Sequence, residues 1–221
     1  MENVNAVNTN VDAFIRNDQY NFIKVQTRDL VRGHKTANDT NVLNAFKLSS
    51  LEKVLSLFPD ISSKQRTLLS KLMEIEENSE AERFLTELRP YVIPFQPVTE
   101  KAVKKLFPKV KKLKVPAFEK MDFKAYSFIG WDDVATGRKY ILADSDGKLI
   151  AIQGTFKHSN KKGVCTICHG IEEVGLFMTR VKSGKETYKN RGNYICCDSE
   201  KCNQNLTNIA QLNDFIARLK K

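Results

Sequence analysis

The chain has 221 residues, a formal charge of +10 and five cysteines. That length suffices for one large domain or two ordinary ones, each with a core of its own, and no stretch reaches the roughly 20 apolar residues of a membrane-spanning helix. The first residues, MENVNAVNTN, lack a basic start followed by an apolar run, so no secretory signal is read and a cytoplasmic location is expected.

The charge is uneven. Residues 1–97 carry 12 Lys+Arg against 13 Asp+Glu and the remainder 24 against 13, so the second part, at +11, holds the whole excess. Its partner is expected to be acidic, either nucleic acid or a negatively charged protein surface. All five cysteines lie between Cys165 and Cys202, a clustering that in a reducing compartment reads as metal ligation or redox chemistry.

From Asp12 to Val92 the only prolines are Pro59 and Pro90, and apolar residues recur at helical spacing. The stripes are Ile15, Phe22, Ile23 and Leu30; Leu48, Leu51, Leu55 and Phe58; Leu68, Leu72 and Ile75; and Phe84, Leu85, Leu88, Tyr91 and Val92. Breaks are predicted at Gly33 with Asn38–Thr40, at Pro59-Asp60 with Ser62-Ser63 as caps, and at Asn78-Ser79. About four helices joined by short connections point to a small antiparallel bundle over residues 1–93.

Pro94-Phe95-Gln96-Pro97 interrupts this pattern where the charge changes, and marks the domain boundary. A short helix from Thr99 to Phe107 is predicted next, running into a strand-like KKLKV, with eight lysines between Lys101 and Lys120. This run reads either as an electrostatic contact surface or as a solvated face. SFIGW, RKYILAD and KLIAIQGTF then predict three antiparallel strands separated by turns at Ala135-Thr136-Gly137 and Asp144-Ser145-Asp146-Gly147. Trp131 is read as an anchor of this sheet. The Asp-Gly turn lacks the twelve-residue pattern of a calcium loop.

The last 60 residues carry the site. CTIC (Cys165–Cys168) closes a knuckle, EVGLFMTRV and GNYIC predict a hairpin around Lys182–Lys185, and Leu206, Ile209, Leu212, Ile216 and Leu219 line one amphipathic helix. A knuckle, a hairpin and a helix that returns a ligand describe a treble-clef finger, here at about 160–221, with four thiolates closing the shell of one structural zinc ion. Cys165, Cys168 and Cys202 are three ligands, and the fourth is Cys196 or Cys197, which spacing leaves open. His158 and His169 are read as ordinary polar residues. The fold class is α+β: the bundle, then a basic mixed α/β domain over 98–221 containing the finger.

FIGW, RKYI, GVCTIC, LFM and GNYIC-x-DS-x-x-CNQNLTNI, in this order, resemble the elongation factor G-binding proteins of the FusB type, densely from Val98 to the end and by layout over the N-terminal helices. The family's IC-x-DS-x-x-CN pattern implies Cys196 as the remaining ligand, Cys197 being the departure. The resemblance further implies a cytoplasmic protein of Gram-positive bacteria that binds the C-terminal domains of elongation factor G and promotes its release from the ribosome, with fusidic acid resistance as the outcome. Phe177, Lys185, Tyr188, Lys189, Tyr194 and Phe215, on the hairpin and final helix, are the expected partner-binding residues, since aromatics mixed with cations suit binding hot spots.

Two other classes compete. A ribosome- or RNA-binding zinc protein without factor specificity would use the lysines after Thr99 and the finger. An enzyme is not expected: no Gly-rich phosphate loop, no His and acid near a nucleophile and no open metal position are present in the sequence.

Overall fold

Helix starts in the N-terminal part follow from local capping. In the computed structural model, which describes residues 12–145, 147–182 and 187–220, α1 spans Asn17–Thr36, α2 Thr40–Leu55, α3 Ser63–Ser70 and α4 Asn78–Leu88. The Asp39 carboxylate accepts from the Asn41 N–H at 2.8 Å to open α2. Ser62 and Gln65 form a reciprocal capping box at α3, and Glu77 and Glu80 do the same at α4. α3 tightens into a 3₁₀ turn at Lys71–Glu74 and α4 into another at Arg89–Tyr91.

The chain divides into two units, one holding Lys24–Ile93 with the stretch up to Ile15, the other Arg16–Ile23 with Pro94–Lys221. The first two turns of α1 thus group with the second unit, a placement that helical periodicity does not announce. In the first unit Leu30, Val54, Leu69, Leu72, Phe84, Leu88 and Val92 are buried. A parallel bridge joins Ile15 to Val92, and the Ile93 N–H donates to the Ile15 carbonyl at 2.8 Å. The buried face of α2 differs from the expected stripe: Lys47, Ser50 and Val54 face inward, one residue before Leu48, Leu51 and Leu55, and Leu48 is exposed. The same 3–4 spacing serves both faces, and Lys47 tolerates burial because its ammonium reaches the Glu76 carboxylate at 2.9 Å. That ion pair holds the Glu76 carboxyl below its ordinary range.

In the second unit α5 spans Glu100–Leu106, capped by the Thr99 hydroxyl. The following KKLKV is a turn and extended loop, not the expected strand. It docks instead of pairing: Leu113 is buried and the Lys114 carbonyl accepts from Trp131 Nε1 at 2.9 Å. The strands are β1 Phe128–Asp133, β2 Arg138–Ser145, β3 Lys148–Val164, β4 Ile171–Lys182 and β5 Tyr188–Cys196. They form one antiparallel sheet in the order β1-β2-β3-β4-β5. The expected three-strand meander and finger hairpin are therefore continuous, because β3 runs on past Phe156 for a total of 17 residues and pairs with β4. Gly154 and Gly175 permit this, since a Cβ at either would overlap the ring of Phe177 or Phe156.

Alternation sorts the sheet's side chains into two cores. On one side Ile129, Tyr140 and Leu142 meet Val103, Phe107, Leu113 and Phe118. Trp131 stacks on Tyr140 there, with ring centroids 5.3 Å apart. On the other side Phe128, Ile141, Ile152, Phe156, Phe177 and Ile195 meet the cysteines and the C-terminal helices. The expected single end helix is two, α6 Ser199–Asn205 and α7 Ile209–Lys220. The break arises because Asn208 caps α7, accepting from the Ala210 N–H at 3.0 Å, while Asp18 accepts from the Ile209 N–H at 3.2 Å.

Candidate metal centre

Cys165 and Cys168 stand on the turn between β3 and β4. The turn is closed by His169 N–H to the Cys165 carbonyl at 2.9 Å and Cys165 N–H to the Gly170 carbonyl at 3.0 Å, with His169 at φ 57°. Cys196 is the last residue of β5. Cys202 lies in α6, whose start is set by Asp198 accepting from the N–H groups of Glu200 and Lys201. These pieces bring four sulfurs together: Cys165 and Cys202 at 3.7 Å, Cys168 and Cys196 at 3.7 Å, and all four within 4.8 Å of one another, every residue buried. A tetrahedron with Zn–S of about 2.3 Å has S–S edges of about 3.8 Å, so the donor set is positioned to bind one zinc ion.

Cys197 takes a different path. Its N–H donates to the Glu173 carbonyl and its own carbonyl accepts from Lys139 Nζ, both at 2.9 Å, and its half-buried thiol lies outside the four-sulfur cluster. Consecutive strand residues point to opposite sides, which is why only one of the pair turns toward the other three sulfurs.

The thiols show what the site demands. Hydrogen bonds from Cys168, Cys196 and Cys202 hold Cys165 well below the ordinary thiol range. Hydrogen bonding to Cys165 and then Cys168, together with burial, pushes the Cys196 thiol up, and contact with the same neighbours does so for Cys202. Four thiolates buried this close require a cation, so metal entry must displace protons. The Ile167 and Cys196 N–H groups each donate to Cys165 Sγ at 3.3 Å, orienting it.

Two supporting residues give no signal in the sequence. Lys139, the second residue of β2, is 2% exposed, bridging Asp132 Oδ1 at 2.7 Å and the Cys197 carbonyl, with its ammonium 4.5 Å from the Phe156 ring centre. Asn203, fully buried in α6, accepts from the N–H groups of Ser127 (2.7 Å) and Phe128 (3.2 Å) and donates to the carbonyls of Phe128 and Ser199, both at 2.9 Å. Asn21 donates to the Asn203 and Leu206 carbonyls at 2.6 and 2.9 Å. Asn203 thus ties the helix that carries Cys202 to β1. Asn203→Leu, close in volume, strands two N–H donors and two carbonyls and is expected to lower stability by about 2–4 kcal/mol, read as a reduced urea midpoint with unchanged slope. An unchanged midpoint would refute this role.

Of the residues expected to meet a partner, Phe177 and Phe215 are corrected to core positions. They are 0% and 1% exposed, with ring centroids 6.1 Å apart between β4 and α7. The 3–4 spacing of an apolar stripe puts Phe215 inward. Phe177 shares that side of the sheet because it pairs with Phe156. Tyr188 and Tyr194 are each 51% exposed on β5, on the side opposite Phe177, and Lys189 is exposed. The Arg180 guanidinium lies 4.3 Å from the Tyr188 ring centre. Lys185 falls outside the described residues. Neither His158 nor His169 joins the sulfurs: His158 faces Asp132 at 3.6 Å, and His169 Nδ1 meets Gln211 at 3.1 Å.

An N-terminal helical unit followed by an antiparallel sheet domain with a four-cysteine centre of the treble-clef kind defines a two-part zinc protein. Residues 14–96 match the family described as elongation factor G-binding protein, N-terminal, and residues 105–218 the family described as FBP C-terminal treble-clef zinc-finger. The chain belongs to the elongation factor G-binding protein family. Among solved structures it is similar to the fusidic acid resistance protein FusC, with 32% identity and a TM-score of 0.81 over 96% of this chain and 100% of that one. No curated protein matches.

Proposed function

We propose that this protein binds elongation factor G through its C-terminal domains, promotes release of the factor from the ribosome, and thereby protects translation against fusidic acid. The observation that carries this reading is membership of the elongation factor G-binding family along nearly the whole chain, together with similarity to a fusidic acid resistance protein over almost its full length. The action proposed is docking, not catalysis: four sulfurs around one ion leave no coordination position for a substrate or water. The protein would act where its partner does, in the cytoplasm. Among the described residues no helix is long and apolar enough to cross a membrane.

The docking face proposed is the outer side of β4 and β5, where Tyr188, Tyr194, Met178 and Arg180 stand exposed on strands braced by the metal centre. Exposed aromatics with a cation in reach are the composition of interface anchors. Lys189, at the same edge, would mainly set association rate and salt dependence. Tyr188→Ala together with Tyr194→Ala, in protein that retains its zinc, is expected to weaken binding of elongation factor G by roughly tenfold or more in titration calorimetry. Absence of a complex with the intact protein on gel filtration would overturn the function. A complex indifferent to both tyrosines would move the docking face elsewhere. Release is tested separately, by sedimenting ribosomes carrying fusidic acid-stalled factor with and without the protein.

A further inference from the structure

We propose that the lysine-rich surface formed by α5 and the loop to Lys120 is a second interaction surface, which holds the phosphate backbone of double-helical RNA. The eight lysines from Lys101 to Lys120 are all exposed, against two acidic residues, Glu100 and Glu119, in the same stretch. Of these eight lysines only Lys104 has an ion pair among the described residues, with Glu100 one helical turn away. The apolar residues of the segment, Val103, Phe107, Leu113 and Phe118, all turn into the core against Tyr140 and Leu142. No large apolar side chain is exposed between Glu100 and Lys120. The fold thus turns the large apolar side chains of this segment inward and its ammonium groups outward.

That composition discriminates between partners. Protein interfaces are enriched in aromatics, Met and Arg at their centres and depleted in Lys, which describes the Tyr188–Tyr194 face and not this one. Surfaces that hold nucleic acid are far more positively charged and owe their affinity to phosphate neutralisation. Single-stranded RNA would call for exposed aromatic rings to stack its bases. None is exposed here, since Trp131 and Tyr140 are stacked beneath the loop. The occupant is therefore a duplex read by its backbone, without base sequence. RNA as the duplex rests on the proposed function, because elongation factor G works in translation; the charge argument does not need it.

The two surfaces share one side of the sheet but stand at opposite ends. The lysine segment covers β1 and β2 around Tyr140, and Tyr188 and Tyr194 belong to β5. Each can then be disabled without the other. The test is fluorescence anisotropy of the full-length, zinc-loaded protein with a labelled RNA hairpin stem. An equal-length DNA duplex, a single-stranded RNA and polyglutamate serve as competitors.

Binding to the stem is expected, with affinity falling about 10²–10⁴-fold between 50 and 200 mM salt, as several phosphate contacts require. Single-stranded RNA and polyglutamate should compete more weakly, whereas the DNA duplex should compete comparably because it presents the same backbone charge. Lys101→Glu with Lys104→Glu and Lys105→Glu should lower affinity at least tenfold and flatten the salt slope by about one for each phosphate no longer neutralised, while binding of elongation factor G is retained. Lys109→Gln with Lys111→Gln and Lys112→Gln, confined to the loop, should act in the same direction and guards against a misfolded α5. The proposal is overturned by no binding at low salt, by an unchanged affinity in both triple variants, or by equal competition from single-stranded RNA. Equal competition from polyglutamate would also overturn it, pointing to an acidic protein surface. Failure of the factor complex with the intact protein would strike the proposed function alone, leaving the RNA measurement to stand by itself.

Discussion

Cys196→Ser is expected to abolish stoichiometric zinc and to unfold the sheet domain, whereas Cys197→Ser should leave both intact. The four clustered sulfurs come from three places: the β3–β4 turn, the end of β5 and α6. One ion therefore joins both edges of the β3–β5 ribbon to the helix behind it. Structural zinc contributes about 10–16 kcal/mol in small finger peptides, as much as the whole stability of an ordinary domain, about 5–15 kcal/mol. Loss of one thiolate leaves three buried sulfurs that must then take up protons. Cys197, half-buried and held through its backbone to Glu173 and Lys139, gives up only a thiol. Elemental analysis and circular dichroism on the two variants decide the matter, and the reverse pattern would assign Cys197 to the ion. Chelation should mimic Cys196→Ser. Since the ligands bind as thiolates, zinc should also be lost as pH falls and protons compete for sulfur.

Phe215→Ala should destabilise the protein by about 3–5 kcal/mol and leave the affinity of the folded fraction for elongation factor G unchanged. The ring is 1% exposed and lies against Phe177, which itself fills the space over Gly154, so truncation opens a cavity that rigid strands cannot close. Phe177→Ala should behave alike, and the pair should cost less than the sum of the two, because the two rings pack against each other. Urea unfolding gives the first quantity and calorimetry below the transition the second. A large loss of affinity at unchanged stability would mean that Phe215 meets the partner after all.

These two phenylalanines mark where sequence reading stops. Period and residue type cannot distinguish an aromatic anchor on a surface from one in a core, since both sit in apolar stripes on amphipathic elements. The same ambiguity displaced the buried face of α2 by one residue, because Lys47, Ser50 and Val54 repeat at the spacing of their leucine neighbours. KKLKV reads like a strand but docks as a loop over Trp131 instead of pairing with an edge of the sheet. Asn203 and Lys139 look like ordinary polar residues. Their importance comes from partners 75 and 58 positions away, Phe128 and Cys197, which no local pattern encodes.

By itself the sequence determined the helical first part, the strand segments, the charge asymmetry and the chemistry of the centre. These depend on short-range matters: side-chain period, capping residues, turn glycines and the spacing of thiols. Only the tertiary structure decided that five strands form one sheet, that the last helix is two, that Arg16–Ile23 belongs with the second unit, and which aromatics remain on the surface. Each of these turns on long-range contacts, where burial and hydrogen bonding between distant segments outweigh the small local preferences that a sequence displays.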